Sequence, residues 1–62
     1  MFKEFFYTIT IDKANLREFK DLMILNRTYY KTLSSTVKDV TINVLITNLR
    51  EFYHLSKWLD NN

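Results

Sequence analysis

Val40-Thr41-Ile42-Asn43-Val44-Leu45-Ile46-Thr47, followed directly by Asn48-Leu49-Arg50-Glu51-Phe52, decides the fold. Val40, Ile42, Val44 and Ile46 alternate with Thr41, Asn43, Leu45 and Thr47, the period-two pattern of a strand with one buried face. From Asn48 onward the apolar residues fall instead at Leu49, Phe52, Leu55 and Leu59, with Ser56 beside them, which is one face of a helix. The segment predicts a strand over 40–46 (β3) running straight into a helix from 48 to about 60 (α2).

The same pentapeptide stands 33 residues earlier as Asn15-Leu16-Arg17-Glu18-Phe19, and it too follows an alternating run, Phe5-Phe6-Tyr7-Thr8-Ile9-Thr10-Ile11-Asp12. That run predicts a strand over 5–12 (β1). Leu16, Phe19, Leu22, Met23 and Asn26 then mark one face of a helix over roughly 13–26 (α1). At the same offset Thr8 matches Thr41, Ile9 matches Ile42, Ile11 matches Val44 and Leu22 matches Leu55. The chain reads as a single domain, 1–62, made of two strand-helix half-repeats, about 5–26 and 38–60. In each half Asn and Glu stand as N-cap and N3 partner, with Asp12 placed to cap one turn before Asn15 and Thr47 as the other candidate cap of α2. Asn26 suits the left-handed residue that ends a helix where no glycine is present.

Between the halves, Thr28-Tyr29-Tyr30-Lys31-Thr32-Leu33 is rich in β-formers (β2, 28–33), and Ser34 to Asp39 supply turn residues leading into β3. The order β-α-β-β-α resembles the ferredoxin-like split βαβ pattern lacking its last strand, an α+β fold with two helices on one face of an antiparallel sheet. The resemblance is topological and spans the whole chain. It implies β1 and β3 side by side, β2 beyond β3, and a pseudo-twofold axis between β1 and β3. No function comes with it.

Composition narrows the chemistry. At 62 residues the chain sits where only about 60% of the unfolded surface is buried. It has no cysteine, glycine or proline and a single histidine, so neither disulfides nor a zinc cluster reinforce it, and oligomerisation is the remaining aid. Without glycine there is no phosphate-cradling loop. Ser34, Ser35 and Ser56 have no nucleophile–base–orienter set around them, and Glu18 and Asp21 alone share a helical face among the acids. No catalytic, cofactor or metal residues are expected, and the chain does not read as an enzyme.

Net charge is +2, with nine basic residues scattered among seven acids, short of the dense stripe of a strong nucleic-acid binder. The opening residues carry Glu4 and no small-residue cleavage site, and no apolar run approaches the ~18 residues of a membrane span. With no cysteine, a cytoplasmic, intracellular setting is expected. The Phe, Tyr, Ile, Asn and Lys bias is that of AT-rich coding, as in phage or mobile-element genes.

Three surfaces are candidates. The missing fourth strand would leave β1 as an unpaired edge, carrying Phe5, Tyr7, Ile9 and Ile11, and pairing with a second copy would close it. A proline at Ile9 is expected to break such a homodimer. Ile24, Tyr53, His54, Lys57 and Trp58 form a protein-binding patch on the helices, while Leu25 and Trp58, equivalent in the repeat, are expected to touch between them. His54 points away from the buried stripe and reads as a surface residue. The open sheet face, with Phe6, Arg27, Tyr29, Tyr30 and Lys31, is the alternative nucleic-acid surface. The functional expectation is a small non-enzymatic regulator or inhibitor that binds a protein partner as a homodimer.

Overall fold

The computed structural model describes residues 2–61. It is an α+β protein in the order β1 (Phe5–Asp12), a 3₁₀ turn (Lys13–Asn15), α1 (Leu16–Leu25), β2 (Tyr30–Ser35), β3 (Asp39–Ile46) and α2 (Leu49–Asp60). The three strands form one antiparallel sheet in the order β1-β3-β2. Both helices pack on one face. The core beneath them is Ile9, Ile11, Phe19, Met23, Val40, Ile42, Val44, Ile46 and Leu55. Each such side chain contributes about 1.5–3 kcal/mol when removed from water, so nine make a thin but continuous core.

The two copies of the pentapeptide start their helices differently. Asn48 accepts from the Glu51 amide at 2.9 Å and Glu51 reaches back to Asn48, so the capping pair forms in α2. Asn15 makes no side-chain cap. Asp12 accepts from the Ala14 amide at 2.8 Å instead and starts a 3₁₀ turn that delivers the chain to α1.

Asn26 does not take the left-handed conformation. Arg27 does, with φ of 52°, the one positive φ among the described residues. The Thr28 amide donates to the Met23 carbonyl at 2.9 Å and that of Arg27 to Ile24 at 3.2 Å, the paired bonds that place the left-handed residue just past the cap. Asn26 is the cap itself, and its side-chain amide donates to the Leu22 carbonyl.

β2 lies two residues later than expected and runs on through Ser35, with an irregularity between Thr32 and Ser34. The Thr36 hydroxyl accepts from the Lys38 and Asp39 amides, at 3.1 and 3.0 Å, and holds the turn with no positive φ.

The helices also depart from the symmetry of the repeat. Leu49 was expected on the inner face of α2 but is 69% exposed, and Leu25 was expected to meet Trp58 but is 80% exposed. Leu55 is the most buried residue of α2, and Leu49, six positions before it, lies about 120° round the helix at 100° per residue. Phe19 and Met23 are buried in α1, whereas their equivalents Phe52 and Ser56 are only half-buried in α2. At 100° per residue the second helix is thus rolled by roughly 80° relative to the first, the angle from the middle of the Phe19/Met23 face to Leu55. That roll turns Leu49 outward and Trp58 inward.

Candidate functional site

In the order β1-β3-β2, β1 has one side on β3 and the other unpaired among the described residues. Its eight residues stay in unbroken register with β3, from Phe5 opposite Ile46 to Asp12 opposite Asp39. The Lys13 amide continues this ladder by donating to the Lys38 carbonyl at 2.8 Å. Backbone direction alternates along a strand, so Ile11, Ile9, Tyr7 and Phe5 also direct N–H and C=O toward β3. The Leu45 amide turns the other way, donating to Tyr29 at 2.9 Å, as the same alternation requires.

The edge therefore belongs to Phe6, Thr8 and Thr10. Phe5, Tyr7, Ile9 and Ile11, named from the sequence, have their backbone groups spent on β3 and their side chains on the helix face of the sheet, where Ile9 and Ile11 are buried and Phe5 stays exposed at the rim. A proline at Ile9 would break the β1–β3 ladder, which makes it a poor probe of the edge. Between Glu4 and Asp12 the outward-facing residues of β1 are uncharged, so no inward charge or bulge blunts pairing. On β2 the register breaks near Leu33 and Lys31 is exposed, the usual ways of protecting an edge.

Above this edge lies α2. Phe52 meets Phe5 and Tyr7 edge-on, with ring centroids 5.9 and 5.5 Å apart, which sets the helix over β1. Trp58 faces α1, its ring tilted against Phe19 with centroids 5.8 Å apart and its Nε1 donating to Glu18 at 3.1 Å. The opposite flank of α2, on the side of the unpaired edge, carries Leu49, 69% exposed. Together with Phe5 it makes an apolar flank continuous with the edge.

The open sheet face is more polar at its centre. Thr8 donates to Asn43 at 2.6 Å, and Thr10 and Thr41 share a bond of 3.1 Å, so these groups satisfy one another across the strands. At one end Phe6 and Tyr29, both exposed, flank Leu45, and Lys31 stands in the next row beside Asn43. Tyr30 is not on this face. It pairs with Val44 and packs edge-on against Phe19 at 5.4 Å on the helix side.

Of the helical patch, Ile24, Tyr53, His54 and Lys57 are exposed, with Lys57 Nζ 5.8 Å from the Tyr53 ring centre and the Tyr53 and His54 rings 5.8 Å apart. Trp58 is half-buried between the helices and does not share their outer surface. His54, Arg50 and Arg27 line an open cleft of about 420 Å³ between the end of α1 and the start of α2. The Glu51 carboxylate already occupies that helix start. It accepts from Thr28 Oγ1 at 2.7 Å, from the Thr47 amide at 3.1 Å and from the Thr47 hydroxyl. Partial burial pushes its pKa up, but these hydrogen bonds outweigh it and hold the carboxyl below its usual 4.5.

Among the described residues no three His, Cys, Asp or Glu side chains stand close enough to hold a metal ion, and no helix is long and apolar enough to cross a membrane. No family model, curated protein or solved structure matches the chain. Function has to be argued from the edge and the surfaces beside it. The edge direction escaped sequence reasoning because periodicity assigns side chains to faces and says nothing of which residues bond which neighbour. The exposure of Leu49 escaped it because two identical pentapeptides suggest identical helix roll.

Proposed function

We propose that this chain is a small non-enzymatic protein-interaction module, a regulator or inhibitor that works as a homodimer, on a ferredoxin-like split βαβ frame without its last strand. One observation carries this: β1 presents an uninterrupted, uncharged edge of outward backbone groups at Phe6, Thr8 and Thr10, while the other edge of the sheet is broken by a bulge. An unprotected edge of this length is a pairing site. A second copy would enlarge a core too thin for a chain of this size. Ile24, Tyr53 and Lys57 remain on the outer helix surface to receive a protein partner.

The test is sedimentation equilibrium of the wild type and of Thr8→Pro, which removes an outward N–H and leaves the β3 ladder in place. A dimeric wild type and a folded, monomeric variant support the proposal. A wild type that is monomeric at every concentration, or a variant that stays dimeric, overturns it.

A second reading has its own observation, the exposed Phe6 and Tyr29 on one end of the open sheet face with Lys31 in the next row. Two rings and a cation are the elements of a single-strand stacking platform. Titration of labelled single-stranded oligonucleotide at rising salt separates the two readings. Phosphate-driven binding falls steeply with ionic strength, whereas capture of a protein on an apolar patch does not.

A further inference from the structure

We propose that the second copy docks on β1 in one register, with Ile9 facing Ile9 of the partner subunit across a twofold axis and Thr8 facing the partner's Thr10. This rests on the homodimer proposed above and specifies how it is built. Two antiparallel edges exchange hydrogen bonds only where outward groups meet outward groups, so Phe6, Thr8 and Thr10 must align with even-numbered residues of the partner. Two registers give the longest overlap of the strand Phe5–Asp12. One is centred on Thr8 and pairs residues 5–11. The other is centred on Ile9 and pairs residues 6–12.

Charge separates them. Centring on Thr8 sets Glu4 directly opposite the partner's Asp12, and the twofold repeats the clash. Like charges directly opposite one another destabilise a sheet. Centring on Ile9 sets Asp12 opposite the partner's Phe6 and carries Glu4 past the end of the paired strand.

The half-repeat points the same way independently. At its offset of 33 residues Val44 corresponds to Ile11, Asn43 to Thr10 and Leu45 to Asp12. Within one chain β2 sets Tyr30 opposite Val44, Lys31 opposite Asn43 and Tyr29 against Leu45. Centring on Ile9 sets the partner's Tyr7 opposite Ile11, the partner's Thr8 opposite Thr10 and the partner's Phe6 opposite Asp12. The incoming Phe6-Tyr7 thus stands beside β1 as Tyr29-Tyr30 stands beside β3, two aromatics in the same places. The Thr8-centred register would bring Glu4-Phe5 there.

The twofold runs perpendicular to the sheet, so both copies keep their helices on one face and the two α2 helices become neighbours. The flank so covered is the one carrying Leu49, exposed in the single chain.

The chain has no cysteine, so introduced thiols report without background. Thr8→Cys and Thr10→Cys, both on the exposed open face, are prepared separately, mixed and mildly oxidised. Directly opposed residues lie about 5.5 Å apart, within disulfide reach, whereas diagonal neighbours at about 7–8 Å are not. The mixture should yield covalent dimer about tenfold faster than either variant alone, since only directly opposed thiols meet disulfide geometry. Faster cross-linking of Thr8→Cys by itself means the Thr8-centred register and overturns the proposal while leaving the homodimer standing. If no disulfide forms in a dimeric sample, isotope-filtered NMR of mixed labelled and unlabelled wild type decides. Contacts between Ile9 methyls of the two copies support the register, and their absence overturns it. A monomeric wild type overturns the homodimer itself.

Discussion

Ile9 and Ile42 face each other across the β1–β3 ladder, and they are also the same position of the two half-repeats. A twofold relating the two copies of Asn-Leu-Arg-Glu-Phe would pass through this pair, both members of which lie in the core. Ile42 is fully buried with strands on both sides, while Ile9, 7% exposed, has a strand on one side only. Truncation to alanine should cost about 2–5 kcal/mol at either site. Ile42→Ala should be the costlier in a monomeric background, and Ile9→Ala should additionally weaken self-association. Urea denaturation over a range of protein concentrations reads both effects. Equal concentration dependence in the two variants would contradict this placement.

The flank of α2 makes a complementary prediction. Leu49 is too exposed to matter much for folding, so Leu49→Ser and Leu49→Asn should change monomer stability by no more than about 0.5 kcal/mol. If that flank is covered in the dimer, the same changes should raise the dimer dissociation constant by roughly tenfold, equivalent to about 1.4 kcal/mol. Sedimentation and thermal melting on the same samples check the pair of outcomes.

Glu51 links stability to acidity. Its carboxyl is held below 4.5 in the folded protein, because hydrogen bonds from Thr47 and Thr28 outweigh partial desolvation. A group whose folded pKa lies below its unfolded value contributes fully above the unfolded value and loses that contribution as pH falls through the folded one. Wild type should therefore exceed Glu51→Gln in stability at neutral pH, and the two curves should converge in acid, below 4.5. Parallel curves from pH 7 down to 3 would remove Glu51 from this role.

Arg27 occupies the left-handed position past the end of α1 without being glycine. The strain on a residue with a Cβ there is about 1–2 kcal/mol, partly offset by the extra chain entropy glycine gives the unfolded state. Arg27→Gly should raise the unfolding free energy by about 0.5–1 kcal/mol in chemical denaturation. A loss of stability would mean that the guanidinium makes contacts worth more than the strain.

Sequence reasoning reached the element order, the strand neighbours and the buried faces of β1 and β3, because alternation at Val40 to Ile46 and at Tyr7 to Ile11 is a physical demand of burying one side of a sheet. It reached the capping pair at Asn48 and Glu51 for a similar reason, since side-chain oxygen and amide lie close along the chain. It misplaced Asn26, Leu25 and Leu49, all at helix ends or on helix flanks. There the outcome turns on how the helix rolls against its neighbours, and local spacing does not encode roll. Tyr29 and Tyr30 show the same limit in a strand. Both are aromatic and β-forming, and only the register with β3 puts one on the open face and the other against Phe19.

The bulge near Leu33 bears on how many copies a pairing sheet can gather. A sheet whose two rims are both regular can go on recruiting copies from either side, and the end state is a fibre. Here one rim is regular and the other is interrupted. If copies pair through β1, growth by strand addition stops once two regular rims have met, and an assembly of two would also be the last. Deleting Leu33 would repair the second rim, and the same few residues that fold as a finite body would then template open-ended polymerisation.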